Sequence, residues 1–175
     1  RQRGRTGPLE GRLRLTVEAV RLAWHTDAFG ALVWYRVQAS AHRHGIPVLP
    51  RLAHRRAMRS AQVCIGERAI VSPGVLLPHG QVVIDGFAEV HEGVRIRPFV
   101  TIGLRDNDIK GPRIHRDVRI GTGAKVIGPV TVGEGASIGA NAVVIDHVAP
   151  RAVVVGAPAR PVGDRPVAAQ PARSG

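Results

Sequence analysis

In the segment "VLLPHGQVVI", residues 75–84, a histidine sits where a regular pattern slips by one residue. His79 therefore stands where the backbone leaves its repeat and a side chain can be re-aimed. An imidazole titrates near neutrality, so there it can take the proton of an attacking hydroxyl or amine. Asp85, Glu89 or an acid from a second copy of the chain are the candidates to orient it. Two more histidines, His91 and His115, suggest a metal reading, since zinc enzymes gather several imidazoles on one ion. With Cys64 as the single thiol, the chain has neither a disulfide framework nor a paired-cysteine metal knuckle.

The 175 residues are 44% hydrophobic, which suits one domain with a modest appendage. The net charge of +12 is unevenly spread: residues 1–62 hold twelve arginines against three acids, while residues 63–160 hold eleven basic and nine acidic residues. Aromatics make up 3%, and no helix-turn-helix, zinc finger or stacking platform is readable, so nucleic acid is not the expected partner. The basic first part is expected to meet anionic substrates, a partner or a lipid surface, an acyl carrier protein being one acidic partner it could receive. No apolar run nears the ~18 residues of a membrane span and no secretion leader opens the sequence. A cytoplasmic location without membrane contact is the expectation.

These residues need elements to position them. Residues 1–8 read as a disordered arm, and 161–175 as a disordered tail. Within an α-helical region over 9–62, Leu9, Leu13, Val17, Val20 and Trp24 fall at helical spacing and predict a helix over about 9–25. Thr26 or Asp27 can cap a second helix through "FGALVWYRVQASAHRH", which Gly45 and Pro47 stop. A third short helix is expected from Pro50 through "RLAHRRAMRSAQ". Trp24, Phe29, Trp34 and Tyr35 are expected to pack between these helices.

From Ile65 a period of six takes over. Aliphatics stand at Ile65, Val71 and Leu77, at Ile84, Val90, Ile96 and Ile102, and from Ile114 through Val144. Four residues after each, a small or β-branched residue usually recurs, as at Ala69, Ala88, Val94, Ala124 and Ala136. Six residues fit a short strand and a turn, and three such units close a triangular coil of eighteen. Each aliphatic then points inward and stacks on its counterpart one coil away. Residues 63–160 provide about five coils, with "GLRDNDIKGPR", residues 103–113, leaving the regular path as a loop.

The elements "VLLPHG…VVI", "VTIG" before the loop, "IGTGAKVIGPVTVGEGASIGANAVV" and the closing "GAPARPVG" together resemble the hexapeptide-repeat acyltransferases, serine O-acetyltransferases above all. The resemblance covers about residues 63–163. It implies a left-handed parallel β-helix, against the usual right-handed crossover. It also implies trimers or dimers of trimers with active sites between neighbouring prisms, and acetyl-CoA or another acyl-CoA as donor, with no metal. His79 matches the family's catalytic histidine. Thr122 and Ala140 match positions whose backbone meets coenzyme A, while Arg160 and Lys125 are placed to meet its phosphates.

The pattern is incomplete. Pro78 stands where the family has an aspartate before the histidine, Lys110 where it has an arginine, and Gly111 where it has a second histidine. Lys110 can attract a carboxylate but lacks the flat paired donors of a guanidinium. These departures weigh against serine itself as the acceptor, leaving a hydroxyl or amine of some small polar molecule. Cys64 lies in the first coil, so direct attack is favoured over a cysteinyl acyl-enzyme. The competing readings are a non-catalytic assembly or regulatory subunit and a γ-carbonic-anhydrase-like metalloenzyme using His91 and His115.

Overall fold

A computed structural model describes residues 27–162, apart from Asn107. The arm over 1–8 and the helix expected over 9–25 with Trp24 lie outside the described residues. So does the tail expected over 161–175, except for Pro161 and Val162, of which Pro161 belongs to a strand. Helix α1 (Asp27–Arg43) and helix α2 (Leu49–Ala61) match the second and third expected helices. Ala28, Ala31, Tyr35, Gln38 and Ala41 give α1 a buried stripe at steps of three and four. Pro50, Ala53, Ala57 and Ala61 do the same for α2, where Pro50 occupies the first turn, in which its missing N–H costs nothing. Trp34 packs partly buried against the core and Tyr35 is buried, its hydroxyl directed to the first coil and not between the helices.

The rest is a three-sided prism. Strand β1 (Val63–Ile65), β2 (Ile70–Val71) and a bridging residue, Leu76, make the first coil. Strands β3 (Val82–Ile84), β4 (Glu89–Val90) and β5 (Arg95–Ile96) make the second. The third holds β6 (Thr101–Gly103), β7 (Arg113–Ile114) and β8 (Arg119–Ile120). The fourth holds β9 (Lys125–Ile127), β10 (Thr131–Val132) and β11 (Ser137–Ile138). Strand β12 (Val143–Val144), the bridging Val148 and β13 (Val153–Val155) close the fifth, after which β14 (Arg160–Pro161) turns back antiparallel on β13. Three parallel sheets result, with orders β1-β3-β6-β9-β12, β2-β4-β7-β10 and β5-β8-β11-β13. They are called faces A, B and C below.

The register explains the sequence rhythm. Ile84 pairs with Ile102 and Val126 with Val144, eighteen residues on in each case. Ile65 pairs with Ile84 nineteen residues on, which is the slip at His79, and Ile102 with Val126 twenty-four on, which makes room for the loop. Val132 meets Val148 and Ile138 meets Val154 only sixteen on, so the last coil is two residues short between Val144 and Val148. The inward aliphatics of every coil are buried, as are the small residues at the fourth place. Those small residues fit where walls converge, and larger ones there would crowd the corners.

The two helices lie over the first coil. The Tyr35 hydroxyl donates to the Ala69 carbonyl at 2.9 Å and accepts from the Val71 N–H at 3.2 Å, while the Arg36 guanidinium donates to the Val71 carbonyl. This satisfies the outer edge of β2, which has no neighbouring strand on that side. Tyr35→Phe should lower stability by about 1–3 kcal/mol, because the Val71 N–H loses its acceptor in a buried position. Chemical denaturation with unchanged m-value checks this. At the far end the segment from Gly156 folds across β12, where the Val143 N–H donates to the Gly156 carbonyl and the Ala159 N–H to the Val143 carbonyl.

Candidate active site

His79 lies on the edge between faces C and A, exposed, in the turn "PHG" that joins Leu77 to β3. The turn is fixed from behind by α2. The Gln81 N–H donates to the Ala61 carbonyl at 2.8 Å, and a Cβ on Gly80 would overlap that same carbonyl oxygen. Glycine is therefore required beside His79 for the helix end to seat. His79 makes no side-chain hydrogen bond to another described residue.

Pro98, Thr122 and Ala140 are equivalent corner residues, each followed by a residue of positive φ (Phe99, Gly123, Asn141). In the first coil Gln81 has that φ, so Gly80 takes their place and His79 is next to it at the inserted residue. Three of the sequence-derived site residues thus share one edge. Along it the Gly123 N–H donates to the Pro98 carbonyl at 2.9 Å and the Asn141 N–H to the Thr122 carbonyl at 2.8 Å. At the first coil the Phe99 N–H donates to the Gln81 carbonyl at 2.7 Å, which leaves the His79 backbone outside the ladder. At strand spacing of about 4.8 Å, Thr122 lies about 10 Å and Ala140 about 14 Å from the His79 level. Both are exposed, with side chains small enough for a ligand to approach the backbone. Lys125, on the outer surface of face A, reaches the same edge and donates to the Phe99 carbonyl at 3.0 Å and the Gly123 carbonyl at 2.9 Å. With Gln62, Gln81, Val83, Phe99 and Thr101 it lines a cavity of about 360 Å³.

The proposed acids are elsewhere in the same chain. Asp85 sits on the edge between faces A and B, and its Oδ1 accepts the Gly86 N–H at 2.7 Å. Glu89 is on face B, paired with Arg113 one coil away, whose Nε and Nη2 donate to it at 2.9 and 3.2 Å. That pair holds the Arg113 guanidinium even more firmly charged than usual, chiefly through the hydrogen bonds. Lys110 is at the end of the loop on the A–B edge, with its N–H donating to Asp108 Oδ1 at 3.3 Å. Gly111 beside it is pressed onto the Phe87–Ala88 backbone, leaving no room for a Cβ. Together Phe87, Glu89, Ile109, Lys110, Arg113 and Thr131 surround a cavity of about 540 Å³. Within one chain the structure thus brings Lys110 and Glu89 to one cavity and places His79, Thr122 and Ala140 on one edge at different levels, but does not join the two groups.

Arg160 is held at the closed end of the prism, where its Nη1 donates to Asp146 Oδ2 at 2.8 Å. His91 and His115 do stand side by side, with ring centroids 5.6 Å apart and planes 8° from parallel. Among the described residues no group of three histidine, cysteine or acidic side chains could hold a metal ion. Arg113 was not singled out from the sequence. Its signal is positional: it precedes Ile114 as Glu89 precedes Val90, so opposite charges face each other across the ladder once the loop length is known.

Cys64 is on face A opposite Val83, and partial burial, with the Asp85 charge second, pushes its thiol above the ordinary range. At a given pH the thiolate fraction is therefore low, and alkylation by iodoacetamide at mildly alkaline pH should be slower than for a free thiol. Asp85→Asn removes the weaker cause, lowers the thiol pKa and should speed alkylation modestly.

A family model described as bacterial transferase hexapeptide (six repeats) matches residues 111–146. The serine acetyltransferase of Mycobacterium tuberculosis is 38% identical over 135 residues, covering 75% of this chain and 59% of that protein. That of Salmonella typhimurium is 34% identical over 142 residues, covering 79% and 52%. The crystal structure of the Brucella abortus serine acetyltransferase in complex with coenzyme A superimposes with a TM-score of 0.74 at 28% identity, covering 78% of this chain and 56% of that one. The chain spans about half the length of the curated relatives it matches. Over the stretch it shares with them, the chain is a hexapeptide-repeat left-handed β-helix, serine acetyltransferase-like in sequence and in fold.

Proposed function

We propose that the protein transfers an acetyl group from acetyl-CoA to the hydroxyl of a small polar acceptor, serine or a molecule like it, with His79 as general base. The observation that carries this reading is that His79 lies on the same prism edge as Thr122 and Ala140, an edge that the anchored ammonium of Lys125 also reaches. Donor and base then share one groove. The imidazole takes the hydroxyl proton as the oxygen attacks the thioester carbonyl. The tetrahedral intermediate collapses, the C–S bond breaks, and the imidazolium returns the proton to the departing thiolate. Lys125 is the cation placed for the phosphates; Arg160 would have to leave Asp146 to assist.

The acceptor is assigned to the cavity at Lys110, where the ammonium meets a carboxylate and Glu89 with Arg113 meets polar groups. That cavity is on a different edge from His79, so a second copy must bring it opposite the base. We assign the functional unit as a homotrimer on this ground, supported by the exposed Val83, Phe87, Phe99 and Ile109 on the surfaces concerned. Asp85 or Glu89 of the neighbouring copy is then the acid that orients His79. Light scattering should return three times the chain mass of 18.7 kDa, or six; a monomer with full activity would sink this arrangement. Acetyl-CoA is a cytoplasmic metabolite, and the cytoplasm is the location this reading assigns. Among the described residues no helix is long and apolar enough to cross a membrane.

The experiment is release of free thiol from acetyl-CoA in the presence of serine and of other small hydroxyl or amine acceptors, with and without a carboxylate. Turnover restricted to carboxylate-bearing acceptors supports the Lys110 assignment. No thiol release with any acceptor, from trimeric protein that binds CoA, would favour a non-catalytic subunit instead.

A further inference from the structure

Helix α2 presents to solvent a face with no role in the prism. Arg51, Arg55 and Arg59 recur every four residues along one ridge, with Arg56 on the flank, all exposed. Leu52 is 55% exposed and Val48 61% exposed, within the field these arginines enclose. The helix contains no acid, and none of the four arginines pairs with a carboxylate among the described residues. Like charges at four-residue spacing cost a helix stability, so their surface calls for an anionic counterpart with a small apolar centre.

Four occupants can be compared. A second copy of α2 would bring arginine against arginine. The chain's own remaining segments repel it too, since residues 1–26 hold six arginines against two acids and residues 163–175 hold two arginines against one. A lipid surface needs a continuous apolar stripe, and that of α2 is already spent on the core through Pro50, Ala53, Ala57 and Ala61. An acidic protein helix with an apolar residue at its centre matches both the charge and the Leu52 knob.

The position of α2 gives the partner a purpose. Its last residue, Ala61, bonds the turn that carries His79, and Arg51 begins only about 15 Å back along the helix axis. We propose that the arginine face of α2 docks an acidic helix of a small carrier protein, whose phosphopantetheine arm then presents its thioester at the His79 edge. The docking stands on the surface itself; only the delivery rests on the acyl-transfer reading.

Binding of acetylated phosphopantetheinyl acyl carrier protein to the full chain tests this by calorimetry at low and at high salt. The expected result is binding that weakens as salt rises and falls about tenfold or more in R51E/R55E/R59E, with a smaller loss in R55A/R59A. Turnover with acetyl-CoA should not change in either variant, and the melting temperature of R55A/R59A should stay level or rise slightly as the like-charge repulsion is relieved. The H79A chain should still bind the carrier, which separates failure of catalysis from failure of docking. Absence of binding at low salt, equal binding by the triple variant, or binding to phosphatidylglycerol vesicles with none to the carrier would each overturn the proposal.

Discussion

His79→Ala lowers thiol release from acetyl-CoA by about 10²- to 10⁴-fold while the oligomer mass and the melting curve stay where they were. The size follows from the role. Without a base the acceptor hydroxyl must attack while still holding its proton, and nothing else on that edge can take it: Thr122 and Ala140 are not basic, and Lys125 is committed as a donor to two carbonyls. The fold should not notice, because the His79 side chain is exposed and makes no hydrogen bond to a described residue. His79→Gln, which keeps a polar side chain without a proton acceptor of comparable basicity, should lose nearly as much. Activity within a few-fold of the parent in both variants would remove His79 from the reaction and leave the edge as a binding surface.

The second large effect is expected one residue away. Gly80→Ala places a methyl group where the Ala61 carbonyl oxygen now lies, and both parties are backbone, so neither can rotate aside. Either the turn or the end of α2 must move. Overpacking of this kind costs about 1–3 kcal/mol, and the loss of the Gln81 N–H to Ala61 bond adds to it. The catalytic consequence should exceed the thermal one, since a displaced turn re-aims His79; misplacement of a reacting group by about 1 Å can cost about 10² in rate. Measured together, a drop of a few degrees in melting temperature and a fall in kcat of about a hundredfold are the expected pair. A variant that melts lower yet turns over normally would show that α2 does not hold the turn.

Much of this prism is written plainly in the chain. Its period of six makes each of Ile84, Ile96, Ile102, Ile114 and Ile120 an inward residue, and all five are fully buried. The slip at His79 and the extra unit at the loop were legible because they disturb an otherwise strict count, and the stacked His91 and His115 follow from that count. The shortened fifth coil was not legible, since Val148 and Val154 break phase near the end where too few units remain to re-establish it. The candidate site was readable only in part. The phase slip singles out His79 and the family resemblance Thr122 and Ala140, but neither says that Glu89 is engaged by Arg113 or Arg160 by Asp146. Those ion pairs depend on rotamers and on how the closing segment folds back, neither of which leaves a period in the residues.

Strands that pair in parallel, coil upon coil, present at each extremity a row of amides ready to accept one more copy of themselves. Tyr35 and Arg36 occupy that row on face B at one extremity, and the backbone from Gly156 to Val162 occupies it on faces A and C at the other. A stack built this way is limited to a set number of layers and does not grow into a filament.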